Sequence, residues 1–239
     1  MKALKSTILL TLMSCFGMAS VNAQDSAEPT LGADFVSQYI WRGTDCGNIS
    51  VQPSLGVSYK GFSVSAWGSV GFDSADTKEF DLTLGYSLGN FNIGVTDYWF
   101  SAGGDSRGRY LMYKAHSTNH VFEANVGYDF GPVALQWYTN FAGNDGAKED
   151  GKRAYSSYFE ISAPFSLATL DWTASVGIVP WETDLYGTSG FAITNINLGA
   201  SKDINLTESL KMPVFANVTA NPCSQKAYFT VGFSLIPQL

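Results

Sequence analysis

From Leu31 to Leu235 the chain repeats with a period of two: large apolar side chains take every second position, polar or small ones fill the gaps, and no window carries a convincing 3.6-residue repeat. The first such run sets Leu31, Ala33, Phe35, Tyr39 and Trp41 against Asp34, Gln38 and Arg42. Later runs do the same with Val51, Pro53, Leu55, Val57 and Tyr59, then with Phe62, Val64, Ala66, Val70 and Phe72, and then with Phe80, Leu82, Leu84, Tyr86 and Leu88. Continued to the end, the pattern predicts about twelve strands. Two strands are irregular: the tenth (Ala192 to Ala200) splits its apolar residues, with Phe191 and Ile193 against Ile196 and Leu198, and Asp97 falls on the oily face of the fifth. A bulge would repair either.

The connections alternate in length. Tyr59-Lys60-Gly61-Phe62, Leu88-Gly89-Asn90-Phe91 and Phe130-Gly131-Pro132-Val133 are tight turns built on Gly, Asn and Pro. Gly43 to Ser50, Asp73 to Lys78, Ser101 to Asn119, Gly143 to Arg153, Trp181 to Gly190 and Ala220 to Lys226 are longer and more polar. With an even number of strands, all short turns fall at one end and all long loops at the other. Ser201 to Ser209 is the exception, longer than its class requires. Rings gather near both ends, with Tyr59, Phe62, Tyr86, Phe91 and Phe130 by the short turns. Tyr39, Trp41, Phe72, Phe80, Trp99, Phe141, Tyr155 and Trp181 lie toward the long loops.

Alternation alone leaves two architectures open, because a soluble sandwich buries its oily face and a membrane barrel displays it. Composition separates them. Charged residues are 15% of the chain, below the quarter or so usual for soluble domains, while aromatics reach 14% and glycines number 24. A closed barrel pairs every backbone group and has no free edge, as lipid requires. The expected fold is therefore an all-β, transmembrane antiparallel up-and-down barrel of about twelve strands, with short periplasmic turns and longer extracellular loops. A secreted carbohydrate-binding sandwich is the alternative.

The amino terminus changes the picture further. Lys2 and Lys5 precede an apolar run from Ile8 to Val21, and Val21-Asn22-Ala23 suits cleavage before Gln24, so residues 1–23 read as a secretory signal peptide. Leu12-Met13-Ser14-Cys15 is a competing lipoprotein box. Cleavage leaves 216 residues with 12 bases against 21 acids, a net charge of −9 that disfavours nucleic acid as a partner. Residues 24–30 then form a short periplasmic segment and 31–239 a single barrel domain in the bacterial outer membrane. The lipid bilayer and small polar solutes are the expected partners. No stretch after the leader approaches the roughly 18 apolar residues of a membrane helix.

Five stretches resemble the TorF-like porin family: VSQYIWRG (Val36 to Gly43), GFSVSAWGS (Gly61 to Ser69), GVTDYWF (Gly94 to Phe100), MPVFANVTANP (Met212 to Pro222) and YFTVGFSL (Tyr228 to Leu235). They span nearly the whole chain after the leader. The resemblance implies an outer-membrane barrel and says little of substrate. Trp41 stands where that family often has Phe, and Cys46 interrupts the stretch after Gly43.

With the oily face toward lipid, Phe35, Tyr39 and Trp41 face the bilayer. Asp34, Gln38, Arg42, Trp67, Asp81, Glu123, Asp129, Tyr138, Tyr158, Glu160, Asp171, Lys211 and Tyr228 line the pore. The inward acids (Asp34, Asp81, Glu123, Asp129, Glu160, Asp171) outnumber the inward bases (Arg42, Lys60, Lys211, Lys226), which favours cations or neutral solutes unless the charges pair across the lumen. The expected activity is passive diffusion of small polar solutes. A non-conducting structural or adhesion barrel acting through its outer loops is the alternative. An enzyme is not expected: the two histidines, His116 and His120, sit in or beside the longest loop, and His120 has Ser117 nearby but no third partner. No Cys/His cluster has metal-ligand spacing, and Asn144-Asp145-Gly146 with Glu149-Asp150 is not a calcium loop, so no metal or cofactor is expected. Cys46 and Cys223 lie in the first and last outer loops, which barrel closure brings together, and a disulfide between them is expected.

Overall fold

The structure, a computed structural model, describes residues 26–74, 76–101, 109–114 and 117–238. The leader and His116 lie outside these. Fourteen strands and no helix are present among the described residues. They are β1 (Glu28–Val36), β2 (Tyr39–Trp41), β3 (Thr44–Gly47), β4 (Ser50–Tyr59), β5 (Phe62–Gly71), β6 (Glu79–Leu88), β7 (Phe91–Phe100) and β8 (His120–Asp129). The rest are β9 (Ala134–Gly143), β10 (Ser157–Leu167), β11 (Leu170–Val179), β12 (Ala192–Thr207), β13 (Leu210–Asn221) and β14 (Lys226–Pro237).

Twelve of these strands close into an antiparallel barrel in the order β1-β14-β13-β12-β11-β10-β9-β8-β7-β6-β5-β4. Each strand pairs with its neighbour in the chain, and β1 meets β14 through Ala33 opposite Leu235 to Val36 opposite Gly232. The start of β1, the end of β14 and the turns after β4, β6, β8, β10 and β12 lie at one end. The long connections lie at the other.

The expected anomaly at Ser201 to Ser209 disappears, because β12 runs on to Thr207 and turns into β13 within two residues. The extension carries Ile204 and Leu206 at alternate positions, and all of Lys202 to Ser209 stays exposed. The expected bulge in the tenth strand is present. Gly177 pairs with Asn195 but Ile178 with Ile193, so Thr194 is the extra residue. Thr194 and Asn195 are therefore both buried, while Ile193 and Ile196 both face out.

Burial is the reverse of a soluble protein's. Leu55, Val57, Val64, Leu84, Ile93, Val95 and Val126 are exposed on the outer wall, Leu55 at 59%, while Gln52, Ser65, Asp81, Glu123, Asn140, Ser175, Asn217 and Thr230 are buried within. The oily face is the outside. Phe62, Phe91 and Phe130 crowd the short-turn rim, and Phe72, Phe80, Phe141 and Tyr155 the other. Tyr39 and Trp41 do not join that rim.

The remaining two strands, β2 and β3, form a hairpin apart from the wall. The wall strand expected to run from Leu31 to Trp41 ends at Val36, with Ser37 capped by the Val231 carbonyl. Tyr39-Ile40-Trp41 places three apolar residues in succession and breaks the alternation of β1. The hairpin folds into the barrel instead.

Candidate functional site

The turn of the hairpin is Arg42-Gly43, with φ of +49° and +80°, the positive pair found in two-residue type I′ turns. An arginine held there carries backbone strain of about 1–3 kcal/mol, which the surroundings must offset. They do so from five strands and a loop. The Arg42 guanidinium makes a two-pronged ion pair with Glu123, Nη1 at 2.6 Å from Oε2 and Nη2 at 2.9 Å from Oε1. Nη1 also donates to the Tyr186 hydroxyl at 2.7 Å. The cation sits 4.0 Å from the centre of the Tyr138 ring, 4.5 Å from that of Trp41 and 4.8 Å from that of Tyr158. On the far wall the Gly43 carbonyl accepts from Asn221 Nδ2 at 3.0 Å, and a side chain at Gly43 would collide with the Thr194 carbonyl.

These partners come from the inward faces of β8, β9, β10, β12 and β13 and from the β11–β12 loop, so the hairpin crosses the lumen at its long-loop end. Its other side reaches the opposite wall, where the Tyr39 hydroxyl donates to Glu79 at 2.9 Å and its ring tilts over Trp67 at 5.8 Å. Trp41 stacks on Tyr186 and meets Tyr98 edge-on. Tyr158, Val179 and Tyr186 form a buried cluster within the barrel, with Trp41, Tyr138 and Leu185 packed against it. Gly177 on β11 leaves the space that the Tyr158 ring occupies.

Three of the carboxylates here each accept from a tyrosine: Glu79 from Tyr39, Glu123 from Tyr98 at 2.9 Å, and Glu160 from Tyr158 at 2.7 Å. Asp81, 4% exposed, keeps one oxygen without a hydrogen-bond partner. Against these acids stands Arg42. Toward the short-turn end the inward positions shrink to Ser63, Gly85, Gly94, Asn125, Ser175, Asn197 and Gly199.

The expected pore residues thus divide. Arg42, Glu123, Tyr138, Tyr158 and Glu160 meet around one guanidinium, with Trp67 and Asp81 beside them. Asp34 faces inward against Ser234, and Tyr228 faces inward on β14. Arg42 and Gln38 are not on the wall, since both belong to the inserted segment, where Gln38 donates to Asp45 at 3.0 Å. Asp129 accepts from the Gly131 amide at the short turn, Asp171 accepts from Ser166 at the same rim, and Lys211 pairs with Asp203 at 2.6 Å. Lys60 and Lys226 are exposed. Sequence reasoning missed Glu79, Tyr98, Tyr186 and Asn195, and it set Tyr39 and Trp41 toward lipid when both are inside. The available signal was the run Tyr39-Ile40-Trp41 closed by Arg42-Gly43.

Cys46 and Cys223 are unpaired, which corrects the expected disulfide. The hairpin carries Cys46 inward, to a recess it shares with Tyr39, Ser69, Asp76 and Thr77. Cys223 stays exposed in the last loop, by the Gly187 carbonyl. Burial first, then the Glu79 and Asp45 charges, push the Cys46 thiol pKa up.

On the outer wall His120 is the first residue of β8. It is 0% exposed, with Nδ1 at 2.7 Å from Asp97 Oδ1 and Nε2 at 2.5 Å from the Tyr110 carbonyl. No bulge removes Asp97 from the oily face: it pairs with Leu82 and Phe122 in regular register and is covered from outside. The carbonyl at Nε2 occupies the place a nucleophile would need, and Ser117 turns to the Lys114 carbonyl instead.

Two solved porins match the chain at low similarity. One is a KdgM porin, with 9% identity over 88% of this chain and 99% of that one, at a TM-score of 0.47. The other is a porin with 16% identity over 82% of this chain, at a TM-score of 0.36, of which this chain spans 63% of the length. No curated protein matches the chain. A family model matches residues 22–228, and the chain belongs to that family, the bacterial proteins of unknown function Gcw_chp.

Proposed function

We propose that the protein is an outer-membrane channel, exported by a cleaved leader, that passes small polar solutes with a weak preference for cations or neutral molecules, and that hairpin β2–β3 forms its constriction. The observation that carries this reading is the inverted burial: an apolar outer wall rimmed by rings at both ends, around a lumen of hydroxyls, amides and carboxylates. Water tolerates apolar patches of a few hundred Å² on monomers, far short of a whole barrel wall. The cation preference rests on four inward acids, Glu79, Asp81, Glu123 and Glu160, against one inward guanidinium, that of Arg42.

A second reading, a non-conducting barrel acting through its outer loops, is favoured by the hairpin itself, which lies across the lumen under an ion pair. Planar-bilayer recording under a salt gradient separates the two. The channel reading expects small, cation-selective steps for the wild type and larger steps when Gln38–Asn48 is replaced by a short Gly-Ser link. Absence of steps from both proteins would overturn it and leave the structural barrel.

A further inference from the structure

Opposite the hairpin, on the outside of the barrel, a second segment folds back onto the wall. Phe80, Trp99 and His120 lie in one row across β6, β7 and β8, and Leu82, Asp97 and Phe122 in the next. The segment Arg109 to Lys114, part of the β7–β8 connection, is laid over this surface. Tyr110 gives its carbonyl to His120 and packs its ring edge-on against Phe80, Trp99 and His120 at 5.1–5.7 Å. Tyr113 stacks on the His120 ring at 4.0 Å, its hydroxyl 3.4 Å from Asp97. A turn closed by the Met112 amide and the Arg109 carbonyl puts Leu111 at the tip, 84% exposed.

One face of this strap is thus spoken for, and nothing among the described residues covers the other. Its free side presents Leu111 between Arg109 and Lys114, both exposed, with no acid among the six residues. The chain as a whole carries 21 acids against 14 bases, so a basic strip that pairs with no acid among the described residues and sits on the apolar wall is set apart. Apolar tip, flanking cations and a level near the long-loop rim together form the pattern of an interfacial element: the side chain enters the acyl region and the charges meet phosphates.

We propose that the strap Arg109–Lys114 is a docking site for anionic lipid headgroups of the leaflet at the long-loop rim, with Arg109 and Lys114 on the phosphate and Leu111 among the chains. His120 and Asp97 act as positioning residues that hold the strap down. The inference rests on the membrane reading above, and the test keeps the two apart. The full-length protein is reconstituted into vesicles of equal phosphatidylglycerol and phosphatidylcholine. Insertion is scored by flotation and by heat-modifiable gel mobility, and the lipids retained on extraction are counted by native mass spectrometry. The wild type should retain phosphatidylglycerol over phosphatidylcholine. The double variant Arg109→Gln/Lys114→Gln, altered only at exposed positions, should insert equally and lose that enrichment by on the order of tenfold at low salt. Equal enrichment in the two proteins, or none in the inserted wild type, overturns the docking site and leaves the barrel in the membrane. Failure of the wild type to float overturns both.

Discussion

Glu123 and His120 stand three positions apart on β8, one facing the lumen and the other the outer wall, and each is covered by a segment that leaves the barrel and folds back onto it. The two closures differ in where the charge resides. Inside, the hairpin brings the cation, Arg42, and the wall supplies the acid, so withdrawing the hairpin separates a buried ion pair with side-chain exposures of 7% and 3%. Outside, Asp97 and His120 both belong to the wall, and the strap adds a carbonyl to His120, a hydroxyl to Asp97 and two rings. Lifting the strap leaves that pair together. The hairpin is therefore locked electrostatically, whereas the strap is held by ring packing and two hydrogen bonds.

The largest effect should come from deleting Gln38–Asn48, which removes the constriction altogether and should raise single-channel conductance several-fold while leaving heat-modifiable gel mobility intact. Next is Glu123→Ala. Stranding a buried guanidinium costs about 3–5 kcal/mol, enough to release the hairpin and expose the Arg42 bond to trypsin. Arg42→Ala/Glu123→Ala removes both charges and should be milder than Glu123→Ala alone, in stability and in protease resistance. An equal or larger loss would mean that the pair is not the lock.

Gly177→Ala should cost about 1–3 kcal/mol by pushing the Tyr158 ring off β11, read as a lower unfolding midpoint. His120→Ala, on the other side of the wall, should cost about 1–3 kcal/mol by leaving Asp97 with only the long Tyr113 hydroxyl bond, raise cleavage after Arg109 and Lys114, and leave conductance unchanged. A conductance change there would dissolve the distinction between lock and strap. The smallest effect is chemical: Cys46 should react with maleimide far more slowly than Cys223, since its thiol pKa is pushed up. Equal rates would place Cys46 outside the barrel.

The wall was legible in the sequence because a strand with one face in each medium has a single rule, and Leu55-Gly56-Val57 or Val64-Ser65-Ala66 obeys it residue by residue. The closures were not, because each violates that rule for the sake of a distant partner. Asp97 looked misplaced on the oily face, and a bulge was a reasonable repair, as it proved for Thr194. What satisfies Asp97 is His120, 23 residues on, and the Tyr113 hydroxyl. Tyr39 and Trp41 read as rim aromatics because their spacing from Phe35 continues the alternation. Their true partners, Glu79, Tyr98 and Tyr186, lie 40 or more residues away. The disulfide expectation failed for the same reason, since it assumed that the first loop stayed outside.

The account turns on which rings meet hydrocarbon. Variants retaining one tryptophan at a time, reconstituted in lipids brominated along the acyl chain, read this directly. Fluorescence from Trp137 and Trp172, on the outer wall, should be strongly quenched, while that from Trp41 and Trp67 should be nearly unaffected. Quenching of Trp41 as deep as that of Trp172 would put the hairpin in the bilayer and contradict the inserted constriction on which the proposed function depends.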